Sequence, residues 1–268
     1  YDIKEEKREE AKEKGFFVYE TEEAMLADPD IDVVLIATPN DCHKPIAIRA
    51  MHAGKNVISE KPVTLSSADL LEMENAAKET EKLLTVHQNR RWDDDFLIIK
   101  KLVEEQKLGH VFRIESRVHG SRGIPGDWRK EKVHGGGMVL DWGVHLLDQI
   151  LYMYGDRKIE TVYASLTNVT NQEVDDGFTA ILTFEGGTEV LVEVGTNNYI
   201  SLPRWYVLGA DGTAVIRDWQ LNGEIIRKTG KTEETVVPVK TAAGLTKTMA
   251  PRREDTIVKE DLPKVSGD

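Results

Sequence analysis

Ile31-Asp32-Val33-Val34-Leu35-Ile36-Ala37-Thr38-Pro39-Asn40 is the stretch whose reading decides the fold. Residues 33–37 form a β-branched-rich apolar run without alternation, the pattern of a strand buried on both faces of a parallel sheet. A helix is expected next over residues 43–53, stopped by Gly54. A second short strand follows at residues 56–59, then a helix capped by Ser66 or Ser67 and running to Thr80, then a strand at residues 83–87. Upstream, residues 3–14 are charged and helix-prone up to Gly15, residues 16–19 form a short apolar run, and Thr21 reads as an N-cap with Glu22 and Glu23 in the first turn. Short apolar strands alternating with helices point to βαβ units around a parallel sheet.

The rhythm changes beyond Gln88. A helix at residues 93–106 leads into residues 111–119, where apolar and polar positions alternate. Glycines open a further helix at residues 138–154, and strand-like runs follow at 161–169, 178–184, 189–194 and 205–208. Turn signals such as Glu185-Gly186-Gly187 and Asp211-Gly212 separate them. The expectation is an α/β chain in two domains. Residues 1–88 would form an incomplete Rossmann parallel sheet, and residues 89–268 an α+β domain with an open, mainly antiparallel sheet.

Composition narrows the function classes. Net charge is −12, from 35 basic and 47 acidic residues, which argues against a general nucleic-acid or acidic-membrane surface. No apolar run approaches the ~18 residues of a membrane span, and Cys42 is the only cysteine, so a cytoplasmic enzyme is expected.

Four places could carry chemistry. Tyr1-Asp2 reads as the end of a strand, where an acid can bond the adenosine ribose of a dinucleotide; alone, Asp2 reads as a surface acid. The glycine-rich phosphate turn belongs about 20 residues before such an acid, and none precedes Asp2. The expectation is a chain that lacks the segment carrying that turn, or one unstable or inactive alone. Thr38-Pro39 closes its strand where ligands of open α/β sheets bind, although a plain strand-to-helix turn has the same look. Lys61, in Glu60-Lys61-Pro62, could aim an ammonium at an alkoxide from a strand's carboxyl end; a surface ion pair is the other reading. In Gly135-Gly136-Gly137-Met138-Val139-Leu140-Asp141-Trp142-Gly143-Val144-His145, glycines permit close approach of the backbone to a ligand. Asp141 and His145, four apart, would share a helix face and suit a general base with its orienting acid. A plain helix pair is the alternative. A metal site would need Cys or His-x3-His partners that are missing, so none is expected.

Together these pieces resemble the glucose–fructose oxidoreductase / inositol dehydrogenase family, Gfo/Idh/MocA. The resemblance rests on Asp32-Val33-Val34 entering Ala37-Thr38-Pro39, His43, Ala53-Gly54-Lys55-Asn56-Val57 leading into Glu60-Lys61-Pro62, Asn89-Arg90-Arg91, Asp127-Trp128-Arg129, the three glycines and Asp141-x-x-x-His145. It implies a Rossmann domain, a second domain with an open sheet, and a nicotinamide held between them. It implies that Lys61 contacts substrate and cofactor, His145 moves the proton and Asp141 orients. Thr38, Pro39, Asn40, His43 and Glu60 would form cofactor-binding turns, Trp128 and Arg129 would reach the cofactor, and Asp2 would favour NAD over NADP. The implied reaction is hydride transfer between NAD(P) and a secondary alcohol or ketone of a sugar or polyol, in a homo-oligomer. Redox-assisted glycosidase or lyase chemistry, and a non-catalytic NAD- or sugar-binding regulator, are the rival readings. The family's C-terminal helix is not evident after Lys264.

Overall fold

The computed structural model describes residues 1–231, 238–247, 252–265 and 267. The chain divides into two compact units, Tyr1–Gln88 with Gly126–Asp141, and Asn89–Pro125 with Trp142–Asp268. A boundary at residue 88 alone leaves out the return of Gly126–Asp141 to the first unit.

The first unit runs α1 (Glu5–Glu13), α2 (Glu22–Ala27), β1 (Val33–Ile36), α3 (His43–His52), β2 (Asn56–Ser59), α4 (Ser67–Thr80) and β3 (Leu84–Val86). Its three strands are parallel in the order β1-β2-β3. Thr21 caps α2 by accepting from the Ala24 amide, and Ser66 caps α4 by accepting from the Asp69 amide. Gly15, at φ +82°, supplies the left-handed residue after α1. Leu26, Val34, Ile36, Ala47, Ala50, Met51, Val57, Met73 and Ala76 form one buried cluster, so α2, α3 and α4 share a core with the sheet.

Two expectations change here. Residues 33–37 were expected to be buried on both faces, yet Val33 and Leu35 are exposed, because the core helices cover only the face of Val34 and Ile36. Tyr1-Asp2 lies in none of the described strands. Among the described residues the sheet starts at β1, and the Asp2 carboxylate accepts from the Lys4 amide at 2.8 Å.

The second unit contains α5 (Asp94–Glu104), β4 (Val111–His119), α6 (Val144–Tyr154), β5 (Ile159–Thr167), β6 (Gly177–Phe184), β7 (Glu189–Gly195), β8 (Trp205–Gly209), β9 (Gly212–Ile216), β10 (Gly223–Lys228), the hairpin β11 (Pro238–Thr241) and β12 (Gly244–Lys247), and β13 (Ile257–Glu260). Eight strands form one sheet in the order β13-β10-β9-β8-β4-β7-β6-β5, antiparallel throughout except for the β4–β7 pair. Strict alternation along β6 and β7 buries Phe178, Ala180, Leu182, Val190, Val192 and Val194 on one face. The helix expected at 138–154 starts as a π-helical turn, Val139–Gly143, before α6 proper.

One buried ion pair anchors this core. Asp95, at the start of α5, accepts from the Phe96 amide, from Trp205 Nε1 at 3.0 Å and from Arg204 Nη2 at 2.5 Å. Burial pushes the Arg204 guanidinium below its ordinary value, and Asp95 opposes that shift. Removing one partner strands the other charge among apolar neighbours. Asp95→Ala should therefore cost about 3–5 kcal/mol of stability, read as a lower urea midpoint, with Asp95→Asn costing less.

Candidate active site

Parallel pairing sets the strand ends side by side. Ile36 is in register with Ser59, and Ser59 with Val86, so the chain leaves all three strands at one edge of the sheet. Thr38 is two residues beyond β1, Glu60 and Lys61 directly follow β2, and His87 directly follows β3. This is the carboxyl edge, where open α/β sheets bind ligands.

At that edge Lys61 and Asp141 meet. Lys61 Nζ donates to the Asp141 carboxylate and to its backbone carbonyl, both at 2.9 Å. Arg129 Nε lies 3.2 Å from the same carboxylate oxygen, so one oxygen serves two cations. Both members of the lysine–aspartate pair are largely buried, with side chains 15% and 14% exposed. Burial alone would raise the Asp141 carboxyl, but the Lys61 ammonium and the Arg129 guanidinium overcome it and hold the group below its ordinary value. Arg129 is itself fixed. Its amide and guanidinium both bond Asp127, and it stacks 4.6 Å from the Trp128 ring centroid.

The expected cofactor-binding residues fall into two groups. Asp2, Thr38 and Glu60 keep at least partial exposure, and Glu60 accepts from His87 Nδ1 at 2.8 Å. Asn40 and His43 are buried and bond the scaffold. Asn40 Nδ2 donates to the Gly135 carbonyl at 2.8 Å. His43 lies between two carbonyls, that of Pro62 at 2.8 Å and that of Thr38 at 3.0 Å, and so ties the turn after β1 to the turn after β2. Pro39 leads from Thr38 into the Asn40–Cys42 turn.

The glycines also serve the chain itself. A Cβ on Gly136 would sit 2.3 Å from the Arg129 carbonyl, and Gly136 and Gly137 donate to the carbonyls of Glu131 and Arg129. The close approach expected toward a ligand is an approach to the segment carrying Arg129. His134 adds a tie to Asp41 at 3.0 Å.

His145 belongs to the second unit, where it is buried in the first turn of α6, with its ring 6.0 Å from that of Trp142 and edge-on to it. Arg90 stacks over Trp142 at 4.2 Å, and its carbonyl accepts from Gln149 Nε2 at 2.5 Å. Sequence reasoning missed His87, Arg90 and Asp127 as parts of these arrangements. The aligned strand ends were the available signal for His87, since position 87 follows β3 as position 60 follows β2. Among the described residues no cluster of His, Cys, Asp or Glu is arranged to hold a metal, and no helix is long and apolar enough to cross a membrane.

The lowered Asp141 carboxyl gives the pair a pH signature. Its stabilisation is present above the unfolded carboxylate value of about 3.9 and is lost as pH falls through the lower folded value. Lys61→Met should raise the Asp141 titration, followed by carboxyl-carbon NMR. The stability gap between wild type and variant should shrink on acidification below about pH 4. A gap constant from pH 7 to pH 3 would contradict this account.

Two family models match the chain: the oxidoreductase family, NAD-binding Rossmann fold, over residues 1–88, and the GFO/IDH/MocA C-terminal domain over residues 96–215. The crystal structure of an NAD-binding protein from Listeria innocua is 54% identical, with a TM-score of 0.95 over 99% of this chain and 76% of that one. Scyllo-inositol 2-dehydrogenase (NADP(+)) IolW of Bacillus subtilis is 32% identical over 74% of this chain and 55% of its own length. Myo-inositol 2-dehydrogenase of Thermotoga maritima is 30% identical over 69% of this chain and 57% of its own. The chain spans about half the length of the curated relatives it matches. With a parallel sheet whose carboxyl edge carries Lys61, and with both family models matched in order, the chain belongs to the GFO/IDH/MocA oxidoreductase family and has its NAD-binding fold.

Proposed function

We propose that this chain serves a nicotinamide-dependent dehydrogenase or reductase acting on a secondary alcohol or ketone of a sugar or polyol. The observation that carries the reading is the Lys61–Asp141 pair at the carboxyl edge of the parallel sheet. An ammonium has three donors, and Asp141 takes two of Lys61's among the described residues. The third is left for a substrate oxygen, where a fixed positive charge favours the alkoxide that forms as an alcohol is oxidised. Arg129 and Asp141 keep that ammonium in place.

The residues at the strand ends suit a dinucleotide. The Thr38 hydroxyl, the turn locked by His43 and the Glu60–His87 pair offer polar contacts where such a ligand binds an open α/β sheet. Asp2 is proposed as the ribose-binding acid, Asn40 and Pro39 as shapers of the turn, and Trp128 and Arg129 as neighbours of the cofactor. Bound nicotinamide supplies the hydride acceptor or donor. The protein's part is the proton and the charge: His145 takes the hydroxyl proton, Lys61 steadies the oxygen left behind, and Asp141 orients. A carboxylate at position 2 repels a 2′-phosphate, which favours NAD over NADP, even though the Bacillus subtilis relative is named for NADP(+). The names of the two inositol dehydrogenases make inositols the first substrates to try.

His145→Ala should lower kcat by about 10²–10⁴-fold while NAD binding, followed by calorimetry, is retained. An unchanged kcat removes His145 from the mechanism. Net NADH formation from an inositol or hexose marks a dehydrogenase. Sugar cleavage without net NADH would move the protein to redox-assisted glycosidase or lyase chemistry.

A further inference from the structure

Trp142, three residues before His145, sits inside the π-helical turn Val139–Gly143. Turns of this kind have poorer hydrogen bonding than an α-helix, so the backbone alone holds such a side chain loosely. Yet the Trp142 ring flanks His145, edge-on at 6.0 Å. Its place is set from outside the helix. Arg90 lies over the Trp142 ring at 4.2 Å and reaches the Trp219 ring at 5.7 Å. Trp219 packs tilted against Trp142 at 5.9 Å, and Arg204 lies over Trp219 at 3.8 Å. The stack therefore runs from Arg204 through Trp219 to Arg90 and Trp142, and ends at His145.

Both guanidiniums are fixed before they stack. Arg204 is buried, bonded to Asp95 and to the Arg117 carbonyl at 2.7 Å. Arg90 Nη1 bonds the Asp93 carboxylate at 2.9 Å, and the Arg90 carbonyl accepts from Gln149 of α6, the helix that carries His145. A planar cation over an indole is attracted by the negative face of the ring. Trp219 itself is 47% exposed, in the turn between β9 and β10, where solubility alone would favour a polar residue. The turn is nonetheless built to hold it. The Asp218 carboxylate accepts from the amides of Gln220 and Asn222, both at 3.1 Å, and from Asn222 Nδ2 at 2.8 Å. The Arg217 amide closes the turn on the Asn222 carbonyl at 2.7 Å. Leu221 takes φ +63°, a left-handed conformation that costs energy in a bulky residue.

We propose that Trp219 is a positioning residue for His145: held by Arg204 and Arg90, it braces Trp142, and Trp142 fixes one side of the imidazole. The inference rests on the reading of His145 as the proton-transferring group, and it assigns Trp219 no contact with substrate or cofactor. Proton transfer falls steeply when the base is misplaced, so a brace of this kind acts on kcat rather than on binding. It also accounts for a strained, tightly tied surface turn that presents a half-exposed indole.

The His145 ring protons report the brace directly, because the Trp142 ring current displaces their NMR resonances. His145→Ala identifies the signal by its loss. Trp219→Ala should move that signal in the direction in which Trp142→Ala moves it, and Trp219→Phe, which keeps a ring for the guanidiniums, should bring it back. The change should be confined to one histidine of the seven in the chain. In turnover of an inositol or hexose, Trp219→Ala should lower kcat by about 10–100-fold with KM little changed, and Trp219→Phe should recover most of the loss. Trp92→Ala removes a more exposed tryptophan outside the stack, at 63%, and should alter neither the signal nor kcat. A His145 signal unmoved by Trp219→Ala, a change spread over all the histidines, an equal effect of Trp92→Ala, or an unchanged kcat would each overturn the proposal. An unchanged kcat in His145→Ala would instead remove the catalytic reading, and the His145 signal would still decide whether Trp219 holds the ring in place.

Discussion

One carboxylate oxygen, Asp141 Oδ1, holds the first unit's candidate site together. It binds the ammonium that follows β2 and the guanidinium of Arg129 at once. The chain reaches Asp141 by an excursion, because Gly126–Asp141 returns to a unit the chain otherwise leaves after Gln88. A segment of this length carries a large ordering entropy and needs several ties to stay put. The structure supplies them in series, from Asn40 to Gly135, Asp41 to His134 and Lys61 to Asp141. Placing two opposite charges beside one buried carboxylate also removes the penalty of burying it alone.

The same ties explain why several polar residues at the carboxyl edge are turned inward. His43 joins two turns through their carbonyls, and Asn40 holds the glycine segment by its backbone. The glycines let that segment lie against Arg129–Glu131 closely enough for two backbone hydrogen bonds, which a Cβ at position 136 would block. The result is a preorganised edge: buried residues whose side chains bond backbone carbonyls set the positions of Thr38, Glu60 and Lys61, which keep some exposure. Holding such groups in advance lowers the reorganisation that a reaction would otherwise need.

Much of this architecture could be read from periodicity. An unbroken apolar run marked β1, alternating apolar and polar positions marked β4, and Thr21 and Ser66 announced their helices because hydroxyl caps are local chemistry. What could not be read was anything decided by distant partners. Val33 and Leu35 look like core residues, yet they are exposed because the covering helices share the other face. Strands β10 and β13 escaped notice because Glu224, Arg227 and Lys259 interrupt their apolar pattern. Lys61 and Asp141 were each legible as chemically suggestive residues. Their contact, across 80 positions of chain, became legible only with the fold.

The π-helical turn at Val139–Gly143 precedes α6, whose buried stripe contains His145, Leu146, Gln149 and Ile150. A wide turn of this kind shifts the phase of a helical run by about 100°, since a helix advances by 3.6 residues per turn, at the cost of poorer local hydrogen bonding. Asp141, inside the turn, gives its carboxylate to Lys61 and Arg129 and so spends its charge on the first unit's own cations.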